Sequence, residues 1–222
     1  MNKERNNMAV LFDMDGVIVD NIPYHLKALK EFCRKHIGEL TDEDFKRNIS
    51  GKTNKDVFHY IFKKELTMDE IKRYEDEKES LYRELYKEYI EPQKGLIKFL
   101  KLLKDDGVKA AVATSGPKVN LDFVLGNINI VEYFDAIVYG DLVAKGKPDP
   151  EIYLTAANAV GVEPKNCIVI EDALNGIVAG QNAGMKVIGM TTVHTKEELK
   201  HTDFVVDNFE DLTVKKLQDL FK

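Results

Sequence analysis

Short apolar runs broken by turn residues punctuate the chain. Ala9–Phe12, Val108–Ala113, Ala136–Tyr139, Cys167–Ile170, Lys186–Met190 and Phe204–Val206 are apolar at successive positions rather than alternate ones. That pattern suits strands buried on both faces, as in a parallel sheet. Between the runs, apolar residues recur at helical spacing. Leu96, Leu100 and Leu103 form one such stripe, which stops at Asp105-Asp106-Gly107, where glycine can take the left-handed cap conformation. Asp149-Pro150-Glu151 reads as an N-cap, a first-turn proline and an acid at the positive helix end, and Gly161 closes that helix. Gly176, Ala179, Gly180 and Ala183 give the helix before Gly184 a face small enough to approach a sheet closely. Strands alternating with helices of this length predict an α/β fold with a doubly wound parallel sheet.

One stretch breaks the alternation. From Pro23 to Pro92 there is no strand signal, only helical, charge-rich sequence. The segment Asp69–Tyr89 carries Ile71, Tyr74, Leu81, Leu85 and Tyr89 on one stripe, which reads as packing within the insert. A βα connection in a compact domain needs far fewer residues, so the insert is expected to be a separate helical unit. Pro23, and Pro92 with Gly95, mark its ends as a hinge pair. The expected division is a core of residues 1–22 and 93–222 and a helical cap of residues 23–92.

Composition narrows the partners. The 222 residues are 44% hydrophobic and 32% charged, as in a soluble globular chain, and a net charge of −6 argues against a nucleic-acid surface. The longest apolar run, Met8–Phe12, is too short to span a membrane, and the opening Met1–Asn7 lacks the apolar core of a secretion signal. Cys33 and Cys167 stand far apart, so reduced thiols in a cytoplasmic protein are expected, as small core residues. Nothing demands more than a monomer.

In an open parallel sheet, ligands bind at the carboxyl ends of the strands. Asp13-Met14-Asp15-Gly16 follows the first strand, Thr114-Ser115-Gly116 the second and Glu171-Asp172 the fourth, while Lys147 stands in Gly146-Lys147-Pro148-Asp149. Carboxylates gathered this closely stay ionised together only with a cation among them, and oxygen donors suit Mg²⁺. Thr114 and Lys147 are apt donors to phosphoryl oxygens. Bland alternatives remain open: Thr114 and Ser115 as caps of the next helix, Asp172 as an N-cap, Lys147 as a solvated lysine.

These four segments, in this order, resemble the four motifs of the haloacid dehalogenase superfamily, and the helical insert after the first resembles its small-cap subclass, in the β-phosphoglucomutase-like branch. Only 32 residues separate Thr114 from Lys147, leaving no room for the alternative larger cap. The resemblance implies a Rossmann-like core with an inserted α-helical cap, and roles for its residues. Asp13 would be the nucleophile that becomes an aspartyl phosphate, and Asp15 the acid and base. Thr114 would bind the phosphoryl group and Lys147 would neutralise it. Mg²⁺ would be held by Asp13, the Asp15 carbonyl and Asp172, with Glu171 as a ligand or just behind them. A second aspartate favours phosphoryl transfer over dehalogenation.

The substrate side is carried by Ser115, Gly116, His25, Lys78, Gly51, Lys52 and Asn54. Lys78 falls on an apolar stripe, where it either snorkels outward or reaches across the cleft. His25 resembles a histidine that acts near the hinge in the mutases. Gly51-Lys52-Thr53-Asn54-Lys55-Asp56 resembles the substrate-facing cap loop, except that the mutases carry arginine at the position of Asn54; Lys52 or Lys55 would have to substitute, without arginine's bidentate fork. The expected activity is therefore a Mg²⁺-dependent phosphatase acting on a small phosphorylated metabolite, such as a sugar phosphate. β-Phosphoglucomutase is the nearest rival. A phospho-acceptor signalling module is disfavoured by the insert. His36, His59, His194 and His201 are expected at the surface or its boundary.

Overall fold

The computed structural model describes residues 7–222, so Met1–Asn7 lies outside the described residues except for Asn7. Six strands, β1 (Ala9–Phe12), β2 (Lys109–Ala113), β3 (Ala136–Val138), β4 (Cys167–Glu171), β5 (Lys186–Met190) and β6 (Phe204–Val206), pair in parallel in the order β3-β2-β1-β4-β5-β6. The α/β, doubly wound parallel sheet expected from the apolar runs is therefore present. β4 runs one residue further than its apolar stretch because Glu171 still pairs with Gly189.

The helices are α1 (Ile22–His36), α2 (Asp42–Asp44), α3 (Asn54–Phe62), α4 (Met68–Tyr86), α5 (Leu96–Asp105), α6 (Lys118–Ile128), α7 (Glu151–Val160), α8 (Leu174–Asn182), α9 (Lys196–Leu199) and α10 (Val214–Asp219). Side chains on a strand point alternately to opposite faces, and β1 shows what this does. Val10 and Phe12 enter a cluster with Leu96, Phe99 and Leu103 of α5 and Leu121 and Val124 of α6. Ala9 and Leu11 enter the opposite cluster, with Ile152, Tyr153 and Ala156 of α7 and Ile177 and Ala179 of α8. Both faces of β1 are dry, so this strand is apolar throughout.

Helices α1–α4 form the cap, with its own cluster around Leu29, Phe32, Phe45, Phe58 and Tyr74. A single π-helical turn, Phe45–Ile49, continues α2 toward the loop at Gly51. The stripe expected along α4 is corrected: the helix ends at Tyr86, Tyr89 is 61% exposed, and Leu81 and Leu85 are only half-buried. The buried line is Ile71, Tyr74, Lys78, Tyr82 and Tyr86. Its first part packs in the cap, while Tyr82 and Tyr86 join the sheet-face cluster beside Val19 and Ala28.

The histidines also depart from expectation in one case. His194 is 3% exposed, with Nδ1 3.4 Å from Glu198, and desolvation pushes its pKa down, which favours the neutral ring. Both cysteines are buried free thiols, and burial raises them to about 11 for Cys33 and about 12 for Cys167. Among the described residues, no helix is long and apolar enough to cross a membrane.

Gly180 is where α8 meets the sheet. A Cβ there would lie 3.0 Å from Val187 and 3.2 Å from Val169. Gly180→Val should therefore destabilise the fold by about 1–3 kcal/mol through overpacking. Urea denaturation checks this: the midpoint falls with the slope unchanged, whereas an unaltered midpoint would show that α8 has room to spare.

Candidate active site

The sheet order reverses between β1 and β4, which opens a crevice at their carboxyl ends. Asp13 N–H still donates to the Ile170 carbonyl at 3.1 Å, so the ladder carries Asp13 to the same level as Glu171. The chain then turns sharply at Gly16, whose φ is +83°. A Cβ at Gly16 would stand 1.9 Å from Asp172 Oδ2, so glycine serves both the turn and the close approach of the two acid-bearing loops.

Lys147 lies between the carboxylates. It is 2% exposed, and its Nζ donates to Asp13 Oδ1 at 2.7 Å and to Glu171 Oε1 at 2.6 Å. The solvated reading of this lysine is thereby excluded. Burial works against its charge, but Asp13 and Glu171 outweigh it and raise its pKa. Tyr153, which the sequence reading missed, supports the pair from below. Its hydroxyl donates to Glu171 Oε1 at 2.9 Å, and the Lys147 ammonium lies 4.9 Å from its ring centre.

Glu171 Oε2 accepts from Asp172 N–H and Ala173 N–H, both at 2.9 Å. Together with Lys147 and Tyr153 these fill the four acceptor positions of a carboxylate. Asp172 differs: its Oδ2 is buried and has no hydrogen-bond partner. Oxygens of Asp13, Glu171 and Asp172 all lie within 4.8 Å of one another. Burial and the neighbouring acids raise Asp13 to about 8, against the pull of Lys147, and raise Asp172 well above the carboxylate range. Three buried acids with one ammonium, an all-oxygen donor set and an unpartnered inward oxygen fit a hard divalent cation.

Asp15 faces the other way, toward the cap. Its Oδ1 accepts from Asn21 Nδ2 at 2.5 Å and lies 3.3 Å from His25 Nε2. Burial disfavours its charge, but His25, Asn21 and Lys78 prevail and hold its pKa below the ordinary value. His25 stacks on Tyr82 with ring centres 3.7 Å apart, and Asn21 also bonds the Tyr82 hydroxyl at 2.6 Å. The expected residue His25 thus reaches the site from α1, held by two residues not singled out in the sequence.

Thr114 is fully buried, its Oγ1 accepting from Gly116 N–H at 3.0 Å, and Ser115 Oγ donates to the Gly51 carbonyl at 3.0 Å. Neither caps α6, which begins after Pro117 without a side-chain cap. Asp172 does not cap α8 either, since Ala173 precedes that helix. One cavity brings together Asp13, Asp15, His25, Gly51, Lys52, Asn54, Lys78, Ser115 and Gly116. Lys78 does not snorkel: at 8% exposure its Nζ donates to Glu79 Oε1 at 2.7 Å and Asn54 Oδ1 at 3.3 Å. Glu79 and Asn120 line the same cavity and were absent from the sequence reading. Their signal was faint, two polar residues at positions where the helix period calls for apolar ones.

A family model described as haloacid dehalogenase-like hydrolase matches residues 10–190. The phosphorylated carbohydrates phosphatase of Thermotoga maritima is 34% identical, across 81% of this chain and 83% of its own length. The β-phosphoglucomutase of Bacillus subtilis is 34% identical, across 95% of this chain and 94% of its own. Among solved structures, a family IA, variant 3 hydrolase from Entamoeba histolytica aligns with a TM-score of 0.86 at 34% identity, over 96% of this chain and 99% of that one.

The raised Asp13 has a measurable consequence. An acid at about 8 in the fold and near 3.8 when unfolded stabilises the protein below the lower value and loses that contribution as pH rises toward the higher one. A divalent cation bound among the ionised acids reverses the loss. The gain in melting temperature on adding Mg²⁺ to chelator-treated protein should therefore be larger near pH 8 than at about pH 5.5. Equal gains at both would contradict the arrangement.

Proposed function

Because the chain belongs to the haloacid dehalogenase-like hydrolase family, whose relatives above include a phosphatase and a phosphomutase, we propose that it is a Mg²⁺-dependent phosphatase of a small phosphorylated metabolite in the cytoplasm. The observation that carries this reading is the division of labour between Asp13 and Asp15. They share one cavity, yet one is bound to a buried ammonium at 2.7 Å and the other is 3.3 Å from an imidazole.

An Asp13 oxygen attacks phosphorus in line, forming an acyl phosphate as the ester P–O bond breaks. The departing alkoxide takes a proton from Asp15, whose Oδ1 lies 3.3 Å from His25 Nε2. Asp15, now ionised, accepts a proton from an incoming water. The water's oxygen displaces Asp13 and releases inorganic phosphate. Thr114 Oγ1 and the Ser115 N–H donate to the phosphoryl oxygens, and Lys147 draws Asp13 toward its anion and aligns it. Asp13, the Asp15 carbonyl and Asp172 would hold Mg²⁺, and Glu171 orients Asp172 and Lys147. When bound, Mg²⁺ offsets charge on the phosphoryl oxygens. The cap excludes stray solvent during the first displacement.

The mutase-like relative that matches 95% of the chain favours a second reading, a phosphotransferase with the same core. Against it, Asn54 stands where that resemblance asks for arginine, and its amide is already bonded to Glu75 and Glu79 at 3.0 and 2.7 Å.

A phosphate-release screen over sugar, polyol and nucleotide monophosphates with Mg²⁺ tests the reading. Asp13→Asn should reduce turnover to background, and Asp15→Asn should lower kcat by roughly 10²–10⁴. Parent-like activity in Asp13→Asn would rule out the covalent route. Glucose 6-phosphate appearing faster than free phosphate from β-glucose 1-phosphate and a bisphosphate primer would favour the mutase.

A further inference from the structure

The cavity is electrostatically two-ended. At the sheet end, Asp13, Ser115 and Gly116 line the cavity, with the Lys147 ammonium bonded to Asp13 behind them. At the cap end stands Glu79, 2% exposed. Its Oε1 accepts from Lys78 Nζ and Asn54 Nδ2, both at 2.7 Å, and its Oε2 from Asn120 Nδ2 at 2.7 Å. Asn120 is itself fixed by Arg83 through its Oδ1 at 2.8 Å. Burial opposes the charge of Glu79, but Lys78, His25 and the Asn120 hydrogen bond hold its carboxyl below the ordinary glutamate range.

The basic side chains near this wall each have a neighbour of their own. Lys78 is paired with Glu79, His25 faces Asp15, and the Lys52 ammonium stands 5.7 Å over the Tyr60 ring. Glu75 adds a second acid, bonded to Asn54. The geometry points to Glu79 as the residue that sets leaving-group specificity, admitting phosphomonoesters with an uncharged, hydroxyl-bearing leaving group and rejecting those that bear a carboxylate or a second phosphate. This inference rests on the phosphatase reading above.

The chemistry is asymmetric. Glu79 accepts three hydrogen bonds and keeps one acceptor position free on Oε2, which a substrate hydroxyl can fill by donating. A carboxylate or phosphate offers no proton and brings a like charge into a site screened from water, where repulsion is strong. The charge of Lys78 is already matched by Glu79, and two of its three N–H donors are spent on Glu79 and Asn54. Discrimination thus comes from a built-in repulsion as well as from the attraction for a hydroxyl.

Sorbitol 6-phosphate and 6-phosphogluconate separate charge from size, because they differ at one terminal carbon, a hydroxymethyl against a carboxylate. The preference is read as kcat/KM in the active protein and as affinity for Asp13→Asn by calorimetry. Absence of turnover would then defeat the hydrolase reading without touching the binding ratio. The parent should favour the neutral compound at least tenfold by either measure. Glu79→Gln should cut the ratio at least tenfold, chiefly through KM of the anionic compound. Asn54→Lys, at a partly exposed position, adds an ammonium beside Glu79 and Glu75 and should shift the ratio the same way, which keeps the test open if Glu79→Gln does not fold. No preference in the parent, binding of neither compound, or an unchanged ratio in either folded variant would overturn the inference.

Discussion

A single ammonium, that of Lys147, makes the site possible. It is wholly buried, 2.7 Å from Asp13 and 2.6 Å from Glu171, with Asp172 close by. Without it, three buried acids would face one another in a dry crevice with no positive charge among them. With it, one positive charge is shared between two of the three acids, and the excess of negative charge suits a divalent cation. The rest of the crevice serves this arrangement. Tyr153 and two backbone N–H groups hold Glu171 still, and the glycine turn brings Asp172 against the first loop.

The cap supplies a different kind of order. His25, Asn21 and Tyr82 form a small polar cluster that orients Asp15, and Lys78, Glu79, Asn54 and Asn120 form another just beyond it. In the proposed reaction the first moves a proton and the second reads what lies past the ester oxygen. Loop contacts from Ser115 to the Gly51 carbonyl and from Asn175 to the Ser50 carbonyl bring the cap loop onto the strand ends. Both clusters therefore line one cavity.

The sheet was readable because burial on both faces leaves a local mark, a run of apolar residues with no alternation, and all six runs became strands. The acid-bearing loops were readable because each follows its strand directly. Residues whose meaning comes from distant partners left weaker traces. Tyr153 is one aromatic on an apolar helix face, and Glu79 is one acid on a charge-rich helix; neither sequence neighbourhood announces the lysine it meets. The α4 stripe was misread for a related reason. That helix buries one line of residues against two clusters in succession, and a stripe drawn through Leu81, Leu85 and Tyr89 leaves that line after Tyr74. His194 was placed at the boundary because an isolated histidine carries no local sign of burial.

The double allegiance of α4 bears on how the two parts of the molecule can be exchanged or evolve apart. Ile71 and Tyr74 anchor one end of the helix among cap residues, while Tyr82 and Tyr86 anchor the other against the sheet-face cluster. A graft that trades caps between relatives at the flanking prolines would carry these tyrosines into a foreign socket, leaving holes where their rings had been. The natural seam for recombination therefore falls inside a continuous helix, and the two parts are expected to melt as one cooperative unit.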